Sequence, residues 1–243
     1  MLTKSLSCGL AAGLTFAASS LSAGSIDLTF TNMSGFLATP VYTGFHNGNF
    51  DAFDEGQAAS AGVELVAELP IPPFAGMLGN ALRDERVAAD PNSQGGFIFG
   101  PNGPIANGEV GTATFDITDP VSNRWATFMA MFVPSNDTFI GNDNPFAYEI
   151  FDMTGNVIEQ TIEITAASIW DAGTEVNQLF GAAAPGEDIT LGDDENGVIQ
   201  QLIDIDGFAA LESLFGVDGA SNITEDTVLF TIDVAASPAP IPL

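Results

Sequence analysis

Ten residues, Arg124 to Val133 (RWATFMAMFV), constrain this chain most. Laid out as an extended strand, the run is apolar on both faces. It therefore needs cover on both sides, which predicts a central, fully covered strand. Other segments alternate instead. Ile26, Leu28 and Phe30 alternate with polar residues within Ser25 to Asn32, and Ala113, Phe115 and Ile117 do so within Thr112 to Thr118. Val228, Phe230, Ile232 and Val234 share one face of Thr227 to Val234. Ala147 to Asp152 and Val157 to Ile164 flank Met153-Thr154-Gly155-Asn156, a turn of hairpin type. Gly, Pro, Asn and Asp clusters separate these runs. The pattern predicts an all-β fold, an antiparallel β-sandwich with a few short helices in the connections.

The helical signals are short. Ala58 to Glu68 carries Val63, Val66 and Ala67 at helical spacing, with Ser60 as its cap. Phe74 to Ala88 places Met77, Leu78 and Leu82 on one face, behind Pro72 and Pro73. Arg83 and Arg86 sit among Asp84 and Glu85, where local pairing accounts for them. Val198 to Phe215 holds one or two short helices, interrupted near Asp206-Gly207. Pro91 to Asn107 is rich in glycine and proline and reads as a loop.

The first 23 residues have the pattern of an export signal. Lys4 precedes an apolar core over residues 8–18, and small residues follow up to Ala23. The core is too short to span a bilayer. Cys8 opens that core instead of following it, which argues against a lipidated cysteine. Cleavage there removes the only Cys and the only Lys, leaving Arg83, Arg86, Arg124 and His46 against 32 acidic residues. No disulfide can then form, so the fold rests on its core or on metal. The remaining stretch, about 220 residues, is enough for one sizeable core. It reads as one domain over 24–236 with a proline-rich tail at 237–243 (SPAPIPL), a disordered end or a shortened sorting signal.

A net charge of −28 repels phosphate backbones and anionic membranes. Nucleic acid is excluded as a partner on that ground, and membrane insertion after signal removal is not expected. With 46% apolar residues and 19 Phe, the chain is no disordered acidic tail. The charge favours solubility in salt and divalent cations, with most of the acids being ordinary surface.

Two turn-rich segments follow apolar runs: Ser135 to Gly141 (SNDTFIG) and Trp170 to Glu175 (WDAGTE). They put Asp137, Asp171 and Glu175 on loops. Gly173 lets the chain turn sharply between Asp171 and Glu175, so both carboxylates can face one point. Three converging carboxylates without a cation would repel one another, and Ca2+ relieves that with carbonyls and water completing six to eight oxygens. Zn2+ is disfavoured by the lack of Cys and the single His. The alternative is that these are ordinary solvated loop acids.

Three blocks resemble the spondin domain, the F-spondin N-terminal type, in a bacterial single-domain form. Gly44 to Asn47, Gly56 to Val63 and Ala67-Glu68 are similar to a G-x-x-H … G-x-x-A-S-x-G-V … A-E block. Met131 to Gly141 is similar to a P-S-x-D-x-x-x-G block, and Trp170 to Glu175 to W-D-A-G-T-D. The blocks come in the family's order across roughly residues 26–235, thinning between Pro70 and Gly111 and after Gln178. The resemblance implies a C2-like sandwich of about eight strands with a Ca2+ site at one loop end. Its metal ligands fall on Asp137, Asp171 and Glu175, the last being Asp in the family pattern. It also implies a secreted, periplasmic or cell-surface protein that meets an extracellular protein or glycan ligand in adhesion or matrix association.

Other candidates have plainer explanations. His46 is the lone histidine and fits a structural turn better than a catalytic base. Ala58 to Gly62 lacks the first glycine of a nucleophile elbow. Asp193 to Gly197 lacks the EF-hand ligand spacing and reads as a solvated turn, as does Asp204 to Gly207. Trp125 is expected in the core, and Trp170 beneath the metal loop. Two other functions compete with recognition. One is a polysaccharide hydrolase using paired carboxylates, which would need a groove of exposed aromatics. The other is a structural protein of the cell envelope or matrix.

Overall fold

A computed structural model describes residues 24–69, 75–183 and 192–238, with side chains from 81 onward in the second helix. The expected leader, the last five residues of the tail, and Met77 and Leu78 with their apolar face lie outside the described residues and side chains.

Two antiparallel sheets stack face to face. The smaller orders its strands β5-β1-β12-β9: β5 (Val110–Ile117), β1 (Gly24–Asn32), β12 (Val228–Ala236) and β9 (Gln160–Thr165). The larger runs β11-β10-β7-β6-β3-β4: β11 (Gln200–Gln201), β10 (Ile169–Asp171), β7 (Thr138–Gly141), β6 (Trp125–Val133), β3 (Val41–His46) and β4 (Gln94–Ile98). The two-residue strands β2 (Leu37–Ala38) and β8 (Tyr148–Glu149) also pair with β6. Three short helices fill connections: α1 (Ala61–Glu68), α2 (Ala75–Ala89) and α3 (Gly207–Phe215). The fold is the all-β sandwich that the strand pattern predicts.

The central position of β6 explains its double-sided apolarity. Ala126, Phe128, Ala130 and Phe132 enter the core between the sheets, with Ile26, Leu28 and Phe30 from β1 and Ile232 and Val234 from β12. Met129 faces the other way, into a second core with Val63, Val66 and Ala67 of α1, Tyr42, Phe139 and Trp170. The larger sheet thus has the smaller sheet on one face and α1 on the other, and residues 126–133 are buried throughout. Burying a Phe or Met side chain contributes about 1.5–3 kcal/mol. No disulfide is needed where so many rings are enclosed.

Helix α1 begins where its cap predicts. The Ser60 hydroxyl accepts from the Val63 N–H, and Glu85 of α2 accepts from both the Ser60 hydroxyl (2.8 Å) and the Gly62 N–H (2.9 Å). Glu85 therefore holds α1 to α2 and is not the partner of Arg86. Arg83 does pair with Asp84 on the surface. Arg86 is buried, donates to the Ser93 hydroxyl and the Gln94 carbonyl, and lies over the Tyr42 ring.

Three further expectations are corrected. The glycine-rich stretch read as a loop contains β4, paired with β3 from Val41↔Ile98 to Phe45↔Gln94. Gly95 is required there because the Arg86 guanidinium and the Thr43 carbonyl fill the space of a side chain. The Met153 to Asn156 turn closes as predicted, with Ile158 N–H donating to Ile150 C=O, but its arms part. β8 joins β6 in the larger sheet, while β9 joins β12 in the smaller one. Val198 to Phe215 holds one helix, α3, which begins at the expected interruption and is preceded by β11 and a turn, in line with the sequence pattern. Trp125, expected in the core, is half-buried at the start of β6, against Phe146 and under Arg124.

Candidate metal centre

β10 pairs antiparallel with β7, placing Asp171 opposite Thr138. Ile169 and Ile140 on these strands enter the inter-sheet core, and Trp170 and Phe139 the helix-side core. Period-two alternation therefore puts Asp171 and Thr138 on the inter-sheet face, at the rim of the sandwich. Asp137 enters β7 through a tight turn. The Ser135 hydroxyl donates to Phe132 C=O (2.5 Å) and accepts from Thr138 N–H (3.2 Å). The Asp137 carbonyl accepts from Ala172 N–H (3.1 Å), tying the turn to the segment after β10.

All three predicted acids are buried: Asp137 is 0% exposed, Asp171 2% and Glu175 3%. Their side chains do different things. Asp137 Oδ2 accepts from Thr174 N–H (2.7 Å), the Thr174 hydroxyl (3.2 Å) and Glu175 N–H (3.0 Å). Its other oxygen, Oδ1, is buried with no hydrogen-bond partner among the described residues, as is Thr138 Oγ1. Asp171 Oδ1 accepts from Gly173 N–H (2.9 Å), and Oδ2 from the Asn177 amide (2.6 Å). Glu175 turns elsewhere: Oε1 accepts from Gly192 N–H (2.6 Å), and the carboxylate also meets the Asn136 side chain.

The electrostatics follow the same division. Burial pushes the Asp137 carboxyl up, the charge of Asp171 adds to this, and the Glu175 and Thr174 donors oppose it. Burial also raises Asp171, against the bonds from Asn177 and Gly173. Glu175 is raised by burial, against the Gly192 and Asn136 bonds, and the charges that reach it are those of Asp194 and Glu64. Of the other two acids, it is Asp171 whose charge reaches Asp137. Among the described residues, no three Asp, Glu, His or Cys side chains gather closely enough to hold an ion.

The neighbourhood includes groups that the sequence reading passed over. Asn177 lies six residues past Asp171 on the same loop. Glu68, at the end of α1, meets the Thr174 hydroxyl, and burial pushes it up to about 7. The Asp193 to Gly197 run lies alongside residues 173–176 and forms a wall of the site. Val176 N–H donates to Asp193 C=O, Glu195 N–H to Thr174 C=O and Gly197 N–H to Gly173 C=O. Gly173 has φ +66°, and a side chain there would strike the Val198 backbone. Trp170 packs on Phe53 with its indole N–H on Gly141 C=O, on the helix side of the sheet. His46 is remote from the acids: Nδ1 accepts from Gly48 N–H and Nε2 bonds the Thr127 hydroxyl.

A buried oxygen without a donor, on a carboxylate facing a second carboxylate, fits a hard cation. It offers oxygen ligands and negative charge, and it has no other partner that would compete. Asp137 meets that test, with Asp171 as the neighbouring charge, although both Asp171 oxygens already accept hydrogen bonds. Glu175, as placed, is engaged by Gly192 and Asn136. No helix among the described residues is long and apolar enough to cross a membrane. No family model matches this chain, and no curated protein matches it.

Proposed function

We propose that this chain is an exported, Ca2+-binding β-sandwich domain for extracellular recognition or adhesion, of the spondin type. One observation carries the cation: the partnerless Asp137 Oδ1, buried beside Asp171. Two carboxylates held that close in a dehydrated rim disfavour the doubly ionised state, and a divalent cation reverses the sign of that interaction. Asp137 and Asp171 would hold the ion. What Ca2+ supplies there is charge neutralisation and a fixed junction between the turn before β7 and the loop after β10. Thr174 and Asn177 orient the two carboxylates by the hydrogen bonds already given.

The recognition role rests on the resemblance of the three sequence blocks and on the loop-rich rim where the pair sits. The leader-like first 23 residues and the acidic surface support export.

Ca2+ titration of the chelator-treated chain, followed by thermal melting, tests the cation. At about a hundredfold excess over Kd, binding stabilises by about 2.7 kcal/mol. For a domain of this size that raises Tm by roughly 5–10 °C. Asp171→Ala should show no rise. A wild-type midpoint indifferent to both Ca2+ and chelator removes the proposal.

A further inference from the structure

At the start of β6 the larger sheet carries an aromatic corner remote from the acids. Trp125 and Phe146 stand at right angles, with ring centroids 5.3 Å apart and an interplanar angle of 89°. Trp125 is half-buried, and Arg124, paired with Glu149, lies over its ring. Phe146 is 54% exposed, yet its surroundings fix it. Its N–H donates to the Asn144 side-chain oxygen (2.9 Å), and Trp125 flanks the ring. The ring also packs against Gly48, which has φ +96° and is buried, so closely that a Cβ there would lie 2.1 Å from Phe146 Cε1. A large ring kept in water and held by a turn, a glycine and a second ring differs from a singly scattered surface hydrophobe. Exposed amides flank it. Asn47 Oδ1 accepts from Asn49 N–H (2.9 Å) in the turn that carries Gly48, as Asn144 Oδ1 does from Phe146. In both turns the amide oxygen is engaged by backbone, which leaves the NH2 end as a donor at the surface.

We propose that this corner binds a neutral hexopyranose unit of a glycan, of glucose or galactose configuration, with Phe146 as floor and Trp125 as wall. Such a sugar has a ring face made of C–H bonds, apolar and weakly positive, which complements the negative face of an aromatic ring. Its hydroxyls radiate outward from the ring, where the Asn47 and Asn144 amides donate and the Glu149 carboxylate at the rim accepts. Other occupants fit less well. A protein interface of ordinary size covers about 800 Å2 per partner around an apolar centre. Here a single exposed ring stands among amides and an ion pair. A nucleotide or an acidic sugar brings negative charge, which a chain of net charge −28 repels. Arg124 does not offset this, because Glu149 already pairs with it. The site is separate from the Ca2+ reading. Met131 of β6 pairs with Phe139, just past Asp137, and Trp125 lies further back along the strand, about 20 Å away at the rise of extended chain.

Calorimetric and NMR titration of the full chain in chelator tests this without Ca2+. The probes are a β-linked glucose hexasaccharide, a β-linked galactose hexasaccharide and a uronic-acid hexasaccharide as the charged control. At least one neutral probe should bind with Kd on the order of 1 mM or tighter, and the uronic-acid probe at least about tenfold more weakly. The Trp125 indole signals should move on binding, while those of Trp170, buried on Phe53, stay in place. Phe146→Ala and Phe146→Leu should both weaken binding by about tenfold or more, because leucine keeps the apolar bulk but lacks the ring face. Phe146→Trp should stay within about threefold of wild type. Asn144→Asp keeps the acceptor for Phe146 N–H and loses only the donor, so it should bind about threefold more weakly with an unchanged unfolding midpoint. Neither neutral probe binding, wild-type affinity in Phe146→Leu, or a uronic-acid probe that binds as well as the neutral ones overturns the proposal. So does a shift confined to Trp170. Each of these results leaves the Ca2+ reading where it stands.

Discussion

Asp137 and Asp152 are both aspartates in turns of the larger-sheet connections, and their surroundings could hardly differ more. Asp152 is only half-buried, at the surface, and both its oxygens are satisfied within the turn. Oδ1 accepts from Thr154 N–H, the Thr154 hydroxyl and Asn156 N–H, and Oδ2 from the Asn156 amide. The Asn156 and Thr154 donors hold its carboxyl below the ordinary range. Asp137 collects three donors to the four of Asp152, but all on one oxygen, inside the protein, and its carboxyl is raised. Donor count alone therefore does not decide the state of an acid. Dehydration and a second carboxylate outweigh three hydrogen bonds at Asp137, whereas only a minor dehydration opposes the donors at Asp152. The unengaged oxygen at Asp137 is what distinguishes it from the turn device at Asp152.

The most severe way to break this comparison is truncation. Asp137→Ala leaves the Thr174 and Glu175 N–H groups without their acceptor in the interior. Each orphaned buried donor costs about 1–3 kcal/mol. The variant should lose roughly 2–5 kcal/mol in chelator by urea unfolding, relaxation included. Asp152→Ala frees donors that water can reach, and its loss should be much smaller. Equal losses at the two positions would mean that burial does not govern Asp137.

His46 extends the comparison to a group of opposite charge. Burial is the largest influence and lowers it to about 4, with the charge of Asp90 acting the other way. Nδ1 already accepts from Gly48 N–H, so a second proton has no place to go without breaking that bond. The folded value lies below the unfolded one, near 6.5. The stability this residue contributes is therefore present above pH 6.5 and lost as pH falls toward 4. At about 1.4 kcal/mol per unit, the loss is on the order of 2–3 kcal/mol. As this is the single imidazole of the chain, its NMR titration reads one group. A midpoint near 6.5 would contradict the burial argument. The stability gap between wild type and His46→Gln should shrink over the same interval.

How much of this was legible beforehand depends on the reach of each interaction. β6 was readable because its two apolar faces encode two covering layers, whatever those layers are. α1 was readable because Ser60 and Val63 are three residues apart. β4 was hidden: Gly95 and Gly96 look like loop residues, and the need for them arises from Arg86 and Thr43, far along the chain. The parting of β8 from β9 was equally hidden, since their partners β6 and β12 lie outside the turn. At the site, the turn chemistry of Ser135 and Gly173 could be anticipated, and the structure does bring Asp137 and Asp171 together. The direction of Glu175 could not be foreseen, because it depends on the N–H of Gly192, seventeen residues on. The position of the 193–197 run was hidden because an acidic run in a solvated turn and one lying along a neighbouring loop have the same composition.

The finest test exchanges charge for an amide at both aspartates. In Asp137→Asn, the side-chain oxygen keeps the place facing Thr174 and Glu175, and the amide nitrogen takes the partnerless place near Asp171. Repulsion between two acids becomes attraction between a donor and one acid. In chelator at pH 8 the variant should be more stable than wild type by about 1 kcal/mol. Its Tm should rise by roughly 2–4 °C. It should gain nothing from Ca2+. In Asp152→Asn the same exchange sets an amide donor against donors arranged around a charge, so one of them, the Asn156 amide or its equivalent, loses its acceptor. Stability should fall slightly, with no dependence on Ca2+. Opposite signs from one chemical change, read by paired urea titrations, are the signature of a dehydrated carboxylate pair on one side and a solvated turn on the other. A fall at both positions would show that the Asp137 charge stabilises the ion-free fold, and the unengaged oxygen would then lose its significance for cation binding.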